Sequence, residues 1–261
     1  MKPLAHRSLF VPVLAGLIAL AWVTLAIWER SPYGRYLKHD QLAAIGLAPG
    51  PGLVVEQALL YIAGWTLMTA AMMLPTVLPL LEIFRRLTRQ RLDRNRLVTL
   101  VILGYLAVWL AFGIVAHLFD LGLHGAFDRS AWLQHNRWLF GAAPLLVAGA
   151  FQFTKLKYRC LNKCRAPLSF VMQHWHRGGT SMPAFSLGMH HGAFCVGCCW
   201  ALMLLMFAVG TGSIGWMLVL GAVMAIEKNM PWGRKISAPL GVILLAWGAL
   251  IVLNHAWSWQ A

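Results

Sequence analysis

Apolar residues are grouped along the chain in long continuous runs, and short polar or basic segments separate them. A membrane-spanning helix needs ~20 predominantly apolar residues. Seven runs approach or exceed this length, at residues 9–28, 53–82, 97–118, 138–154, 183–209, 213–227 and 236–256. The pattern predicts an all-α, polytopic transmembrane helical bundle of about seven spans, with residues 1–261 forming a single integral membrane domain.

Two of the seven runs are weaker than the others. The fourth is short and contains Pro144, and the sixth, 213–227, is shorter still. The link GTGS between the fifth and sixth runs is typical of a tight turn between antiparallel helices. The first run is longer than the ~7–15 residues of a signal-peptide core and lacks a clear small-x-small cleavage site, so we expect a retained anchor.

Composition and charge support a membrane protein and indicate its orientation. Of the residues, 59% are hydrophobic and 11% are charged, whereas soluble domains carry about 25% charged residues. The formal net charge is +14, but seventeen of the 22 Lys and Arg residues lie on one set of alternating loops. The positive-inside rule places this set in the cytoplasm. We therefore expect a multi-pass protein of a bacterial inner (cytoplasmic) membrane, surrounded by the lipid bilayer, with its N-terminus cytoplasmic, its C-terminus outside and no nucleic-acid partner.

The fifth run contains the block MHHGAFCVGCCW, which brings reactive side chains into an apolar segment. Counting ~1.5 Å per residue from the start of the run places Cys195 ~18 Å deep, just beyond the middle of a ~30 Å hydrocarbon core. At ~100° per residue, four side chains share one arc of ~100°: His191, Cys195, Cys198 and Cys199. His190 points elsewhere on the helix.

This cluster of thiols and an imidazole has the chemistry of a soft-metal site. Imidazole and thiolate suit Zn(II), whereas thiolate with thioether suits Cu(I). A bound cation would also offset the cost of ionised thiols in an apolar medium. Free cysteine is a common small packing residue as well, but three cysteines within five residues, one turn from a histidine, favour a functional cluster.

The second run supplies further soft donors in the segment GWTLMTAAMMLPTVLPLL. Met68 and Met72 are spaced i, i+4 and therefore share a helix face. Met72 lies about 16 Å from the cytoplasmic end of this run, which is close to the depth of Cys195. Methionine in a membrane helix is usually a packing residue. If the second and fifth helices pack together, however, these thioethers face the thiols.

The fourth loop contains the remaining two cysteines in the segment KYRCLNKCRAP. Cys160 and Cys164 share a face if this segment is helical, and nearby positive charge favours thiolates. They suit a metal relay or a redox pair, and the alternative is a basic interfacial helix with incidental cysteines. Later in the same loop, His174 and His176 flank Trp175 and are more simply interpreted as surface histidines.

Glu227 closes the sixth run in VMAIEKNMPWG. An ionisable residue within a membrane segment is a functional candidate by default. The alternative is an interfacial carboxylate that pairs with Lys228.

Four segments together resemble an uncharacterised bacterial family of predicted metal-binding integral membrane proteins. They are WTLMTAAMMLP, CLNKCRAPLSF, GMHHGAFCVGCCWALMLLMFAVG and EKNMPWG, and the resemblance covers roughly residues 60–255. The segment TKLKYR departs from the family pattern in lacking a proline before its lysine, and the turn GTGS lacks a methionine. The resemblance implies that the matching positions are Trp65, Met68, Met72, Met73, Pro75, Cys160, Cys164, His191, Cys195, Cys198, Cys199, Glu227 and Lys228.

Two hypotheses about function follow. In the first, the protein binds a soft metal within the bilayer, Cu(I) in preference to Zn(II), and serves its acquisition, delivery or export, with a soluble or periplasmic metal carrier as partner. In the second, it is a membrane thiol–disulfide oxidoreductase in which Cys160 and Cys164 exchange electrons with the deeper cysteines, since CVGC has the C-x-x-C spacing of redox pairs. We expect a binding protein rather than an enzyme. The candidate metal ligands are His191, Cys195, Cys198, Cys199, Met68, Met72, Cys160, Cys164 and Glu227.

Overall fold

A computed structural model describes residues 10–31, 51–136, 138–175, 180–209 and 213–258, and these residues form helices without any strand. The predicted all-α transmembrane bundle is confirmed. His176 and most of the predicted turn at 210–213 lie outside the described residues. The helices are α1 Phe10–Arg30, α2 Pro51–Leu87, α3 Arg94–Arg129, α4 Ala131–His135, α5 Leu139–Phe151, α6 Lys155–Cys164, α7 Pro167–His174, α8 Ser181–Val209, α9 Ile214–Asn229 and α10 Ser237–Ser258.

Within the described part of the chain, five helices are long and apolar enough to cross a membrane. They are the membrane-length segments of α1, α2, α3, α8 and α10. A sixth span results if α5 and α6, which meet at an angle of 68°, form one broken span. The expected seventh, α9, has 16 residues and is ~24 Å long, shorter than a ~30 Å hydrocarbon core. The number of full-length spans is therefore smaller than the apolar runs suggest.

The break between α5 and α6 follows from a change of residue type. The apolar helix α5 ends at Phe151, and the next segment, KLKYRCLNKC, is basic on its outer face. Thr154 caps the new helix, because its backbone is extended and its hydroxyl accepts a hydrogen bond from the backbone N–H of Lys157 at 3.3 Å. An N-cap of this kind starts a helix in a new direction. The predicted fourth span thus becomes a short span joined to an amphipathic helix.

The centre of the bundle depends on the close contact of α3 with α8. Gly188 faces the backbone of Val101 and Tyr105, and Gly192 faces Tyr105 and Val108, so the two helices run in the same direction. A methyl group at Gly188 would collide with the carbonyl oxygen of Val101. Small residues permit such backbone contact in membrane helices. The contact places Tyr105 beside the cysteine-rich part of α8.

Helix α2 also packs against α3, and polar groups of its aromatic residues form hydrogen bonds across the contact. Trp65 donates its indole N–H to the carbonyl of Trp109 at 2.9 Å, and Tyr61 donates to the carbonyl of Gly113 at 3.1 Å. These bonds satisfy polar groups within an apolar interior. Helix α3 therefore contacts both α2, with its methionines, and α8, with its cysteines.

Candidate metal centre

The cysteines of α8 form a compact group inside the bundle. Cys195, Cys198 and Cys199 are each 1% exposed. The thiols of Cys198 and Cys199 donate to the carbonyl of Cys195 at 3.1 and 2.8 Å, because residues three and four positions apart lie on one helix face. The three side chains therefore face the same part of the interior.

A lysine from α9 reaches this group of thiols. Lys228, 6% exposed, places its Nζ atom 2.9 Å from the Cys195 Sγ atom and 3.6 Å from the Cys199 Sγ atom. The Met73 Sδ atom lies 3.9 Å from the same ammonium. A buried cation costs several kcal/mol unless an anion or well-placed acceptors compensate it. Among the described residues, the hydrogen-bond partners of the Lys228 ammonium are sulfur atoms, so an ionised thiol would provide the compensating charge.

Tyr105 connects the centre to α3 and α2. Its hydroxyl lies 2.9 Å from the Cys195 Sγ atom and 3.4 Å from the carbonyl oxygen of Met73. A phenol that donates to a backbone carbonyl can accept from a thiol, or it can donate to a thiolate. The hydroxyl can therefore stabilise Cys195 in either protonation state.

The cysteines of α6 meet the cysteines of α8. Cys160 is buried against Gly197, where a Cβ atom would lie 2.7 Å from the Cys160 Sγ atom. The half-buried Cys164 lies beside Cys198, close enough for their side chains to interact electrostatically. Two groups of cysteines far apart in sequence, two residues in α6 and three in α8, are thus brought together, and all five thiols are free.

The methionines of α2 divide between packing and the centre. Met68 and Met72 are both buried, and Met72 packs against Gly221 of α9, where a Cβ atom would lie 3.6 Å from the Met72 Cγ atom. The thioether beside Lys228 is instead that of Met73. Met68 and Met72, the two methionines predicted from the sequence as ligands, line the interior on the same helix as Met73, the residue whose thioether lies beside Lys228.

His191 is buried beside the centre with an unsatisfied nitrogen. It is 3% exposed, and its ring centroid lies 6.0 Å from that of Tyr105 and 5.2 Å from that of Phe170. No described residue forms a hydrogen bond with its Nδ1 atom. A buried polar atom without a partner is uncommon in folded proteins, so this nitrogen is available to a ligand.

Glu227 belongs to a different polar cluster, although it is adjacent to Lys228. Its carboxylate lies 2.6 Å from the Lys157 Nζ atom and accepts from the Ser237 hydroxyl at 2.6 Å. Lys157 also donates to Gln152, and Arg165 donates to the Glu227 carbonyl. Glu227 therefore pairs with Lys157, not with Lys228 as the alternative interpretation of the sequence has it.

Two residues that contact the thiols, Tyr105 and Lys228, are not among the candidate ligands predicted from the sequence, although the family resemblance includes Lys228. Lys228 appears in the sequence as a loop cation, yet an ionisable residue at the end of an apolar run is itself a sign of an intramembrane role. Tyr105 lies within an ordinary apolar run, and only the packing of α3 against α8 brings its hydroxyl to Cys195. Lys157 likewise looks like one of many basic loop residues, although it is fully buried.

The donor atoms fit a soft ion of low coordination number. Among the residues described, no group of three or more His, Cys, Asp or Glu side chains is arranged to hold one metal ion. The adjacent thiols of Cys164 and Cys198 nevertheless offer two sulfur donors, and thiolate donors select Cu(I) over hard cations.

Comparison with known proteins indicates the same chemistry. No curated protein and no solved structure matches the chain. The model of a family described as a copper chaperone, PpoB2, matches residues 62–251. This range covers most of the chain and includes both cysteine groups, Met73, Tyr105 and Lys228. The chain therefore belongs to the PpoB2 copper chaperone family.

Proposed function

We propose that this protein binds Cu(I) within its helical bundle and passes it to or from a soluble or periplasmic copper carrier at a bacterial inner membrane. The observation that carries the proposal is the contact between the cysteines of α6 and those of α8. Cys164 and Cys198 supply the first two donors. Cys160 packs against Gly197, next to Cys198, and Cys195 and Cys199 share the helix face of Cys198; in this proposal they serve as further donors when the ion moves.

The charges at the centre favour a monovalent ion. Two thiolates, one Cu(I) ion and the Lys228 ammonium together are electrically neutral. The same group with Zn(II) carries one positive charge, and net charge is costly in an apolar interior. The sulfur donors add chemical preference for Cu(I). Charge and donor type thus support the same metal, and His191 and Met73 are neutral auxiliary donors.

The test is copper binding by purified protein in detergent. We expect wild-type protein to bind Cu(I) under reducing conditions, and Cys164→Ser and Cys198→Ser each to lower the affinity at least about tenfold, because each removes one of two principal donors. Met203→Leu is the matched control, since it changes a buried sulfur residue of the same helix. Unchanged affinity in both serine variants would show that the cluster is structural.

A membrane thiol–disulfide oxidoreductase remains a second candidate, and one observation favours it. The side chains of Cys164 and Cys198 lie beside each other in the bundle, so a movement that brings their sulfur atoms to the ~2.05 Å of an S–S bond would allow a disulfide. Thiol labelling separates the two functions. Copper binding predicts free thiols that Cu(I) protects from alkylation, whereas a relay predicts a stoichiometric disulfide in purified protein and no protection by metal.

A further inference from the structure

A pair of histidines lies on the outer side of α7 and α8, away from the thiols. The rings of His174 and His190 have centroids 5.1 Å apart and are inclined by 41°. His190 is exposed and His174 is half-buried. These residues are sixteen positions apart in sequence, and the fold brings them together. The proposed function does not use either side chain.

The hydrogen bonds of the pair determine which nitrogen of each ring is free. The His174 Nδ1 atom lies 2.9 Å from the carbonyl oxygen of Phe170, and the His190 Nδ1 atom lies 2.8 Å from the carbonyl oxygen of Ser186. Because a carbonyl oxygen only accepts, each contact is a hydrogen bond in the tautomer whose Nδ1 atom carries the proton, and the Ser186 hydroxyl lies 3.2 Å from the same His190 nitrogen. In a neutral ring the Nε2 atom then keeps its lone pair. This is the arrangement by which proteins orient a metal-binding histidine.

The spacing of the rings is compatible with a shared metal ion. Two imidazoles bound through nitrogen at about 2.0 Å, with a near-tetrahedral angle at the metal, have ring centroids about 5 Å apart. The observed separation is 5.1 Å. No described residue is a hydrogen-bond partner of either Nε2 atom. The ligand class is a first-row transition-metal ion that accepts imidazole, which includes copper.

A continuous set of side chains leads from this pair to the thiols. Phe170 is buried and stacks on His174 with centroids 4.3 Å apart, and its ring also contacts His191 at 5.2 Å. The His191 ring therefore contacts Phe170 on the side of the outer pair and Tyr105 on the side of the cysteines, and its Nδ1 atom has no partner among the described residues. Tyr105 continues the path from His191 to Cys195.

We propose that His174 and His190 form a second, outer copper site that receives the ion and loads the thiol centre through His191. The existence of the outer site stands by itself, while its loading role rests on the proposed function. Two neutral donors hold copper more weakly than thiolates do, so transfer inward is downhill. A two-ligand site also leaves coordination positions open, so that the ion can be exchanged.

The outer site is tested by itself in a variant that lacks all thiols. The five changes are Cys160→Ser, Cys164→Ser, Cys195→Ser, Cys198→Ser and Cys199→Ser. With Cu(II) used only as a spectroscopic probe of the imidazole donors, we expect this variant to bind about one equivalent, with imidazole nitrogen coupling in its electron paramagnetic resonance spectrum. Adding His174→Gln and His190→Gln should reduce binding at least tenfold. Adding His135→Gln, an exposed histidine of α4, should leave binding unchanged. Equal binding with and without His174 and His190 would overturn the proposal.

The loading role is tested in protein that retains its cysteines. This experiment also tests the role of His174 and His190 if the thiol-free variant does not fold. His174→Gln with His190→Gln should slow Cu(I) loading about tenfold in stopped-flow measurements and leave the final copper content unchanged. Unaltered loading overturns the role. If the thiols bind no copper but the thiol-free variant still binds one equivalent of copper, the proposed function fails and the outer site is retained.

Discussion

At the residue scale, Lys228 decides the charge of the centre. It is a buried ammonium whose contacts are the Cys195, Cys199 and Met73 sulfur atoms. In an apolar medium, a cation in this position favours a bound complex whose own charge is −1. A Cu(I) ion with two thiolates has that charge, and a Zn(II) ion with two thiolates does not.

Replacement of Lys228 should therefore change the metal preference. We expect Lys228→Met to lower Cu(I) affinity at least about tenfold, or ~1.4 kcal/mol, because a buried anionic complex is left without its counter-charge. Zn(II) affinity should fall less or rise, since its dithiolate complex becomes neutral. Competition with chromophoric chelators for each metal measures both changes.

Two controls separate charge from packing. Lys228→Arg keeps the positive charge and should retain most of the preference for Cu(I), while Lys235→Met removes an exposed lysine nearby and should have no effect. If Lys228→Met binds both metals as the wild type does, charge balance plays no part in selection.

At the scale of elements, the buried ion pair between Lys157 and Glu227 joins α6 to α9. The Lys157 ammonium also contacts Gln152 at the break after α5, and Glu227 contacts Ser237 at the start of α10. Four helices thus meet at one polar cluster. Because α6 contains Cys160 and Cys164, this cluster holds those cysteines against α8.

Loss of one partner of this pair should destabilise the protein strongly. We expect Lys157→Met to lower the free energy of unfolding by about 3–5 kcal/mol, because Glu227 stays buried and loses its counter-charge. The double variant with Glu227→Gln should recover part of that loss. Equilibrium unfolding in detergent measures both, with Lys155→Met, an exposed position on the same helix, as the control. A Lys157→Met variant as stable as the control would contradict this account.

At the scale of the whole molecule, the short helix α9 determines the position of the C-terminus. Lys228 at the end of α9 reaches Cys195, which lies midway along α8. Helix α9 therefore runs back along α8 to about the middle of that helix, and α10 then starts inside the bundle. Helix α10 packs antiparallel to α5, since Gly149 faces Leu245 and Gly141 faces Ile251. We infer that α8 and α10 end on the same side.

This arrangement, with the basic asymmetry of the loops, predicts a C-terminus outside the cytoplasm. A C-terminal reporter that is active only in the periplasm should function, and a fusion to a protein that fluoresces only in the cytoplasm should remain dark. The same reporters fused after Arg89 should give the opposite pattern. A fluorescent C-terminal fusion would mean that one of the predicted crossings does not exist.

The sequence by itself was enough to predict the fold class, and it identified the cysteine groups and His191 as the candidate metal ligands. Unsatisfied backbone polar groups and charges are costly in lipid, so spans are apolar and their borders are basic. This cost applies to each segment separately along the chain. The segment CVGCC is recognisable because helical spacing places its thiols on one face. These properties need no knowledge of which helices are neighbours.

Only the tertiary structure decided which of these groups meet. It places Cys164 beside Cys198, brings Lys228 and Tyr105 to Cys195, and pairs Glu227 with Lys157. It also bends the fourth predicted span at Thr154 and brings His190 to His174. Hydropathy and helical periodicity describe one segment at a time, whereas a site made of several helices depends on their order, depth and rotation. Those are set by close backbone contacts, such as that at Gly188, and by buried ion pairs.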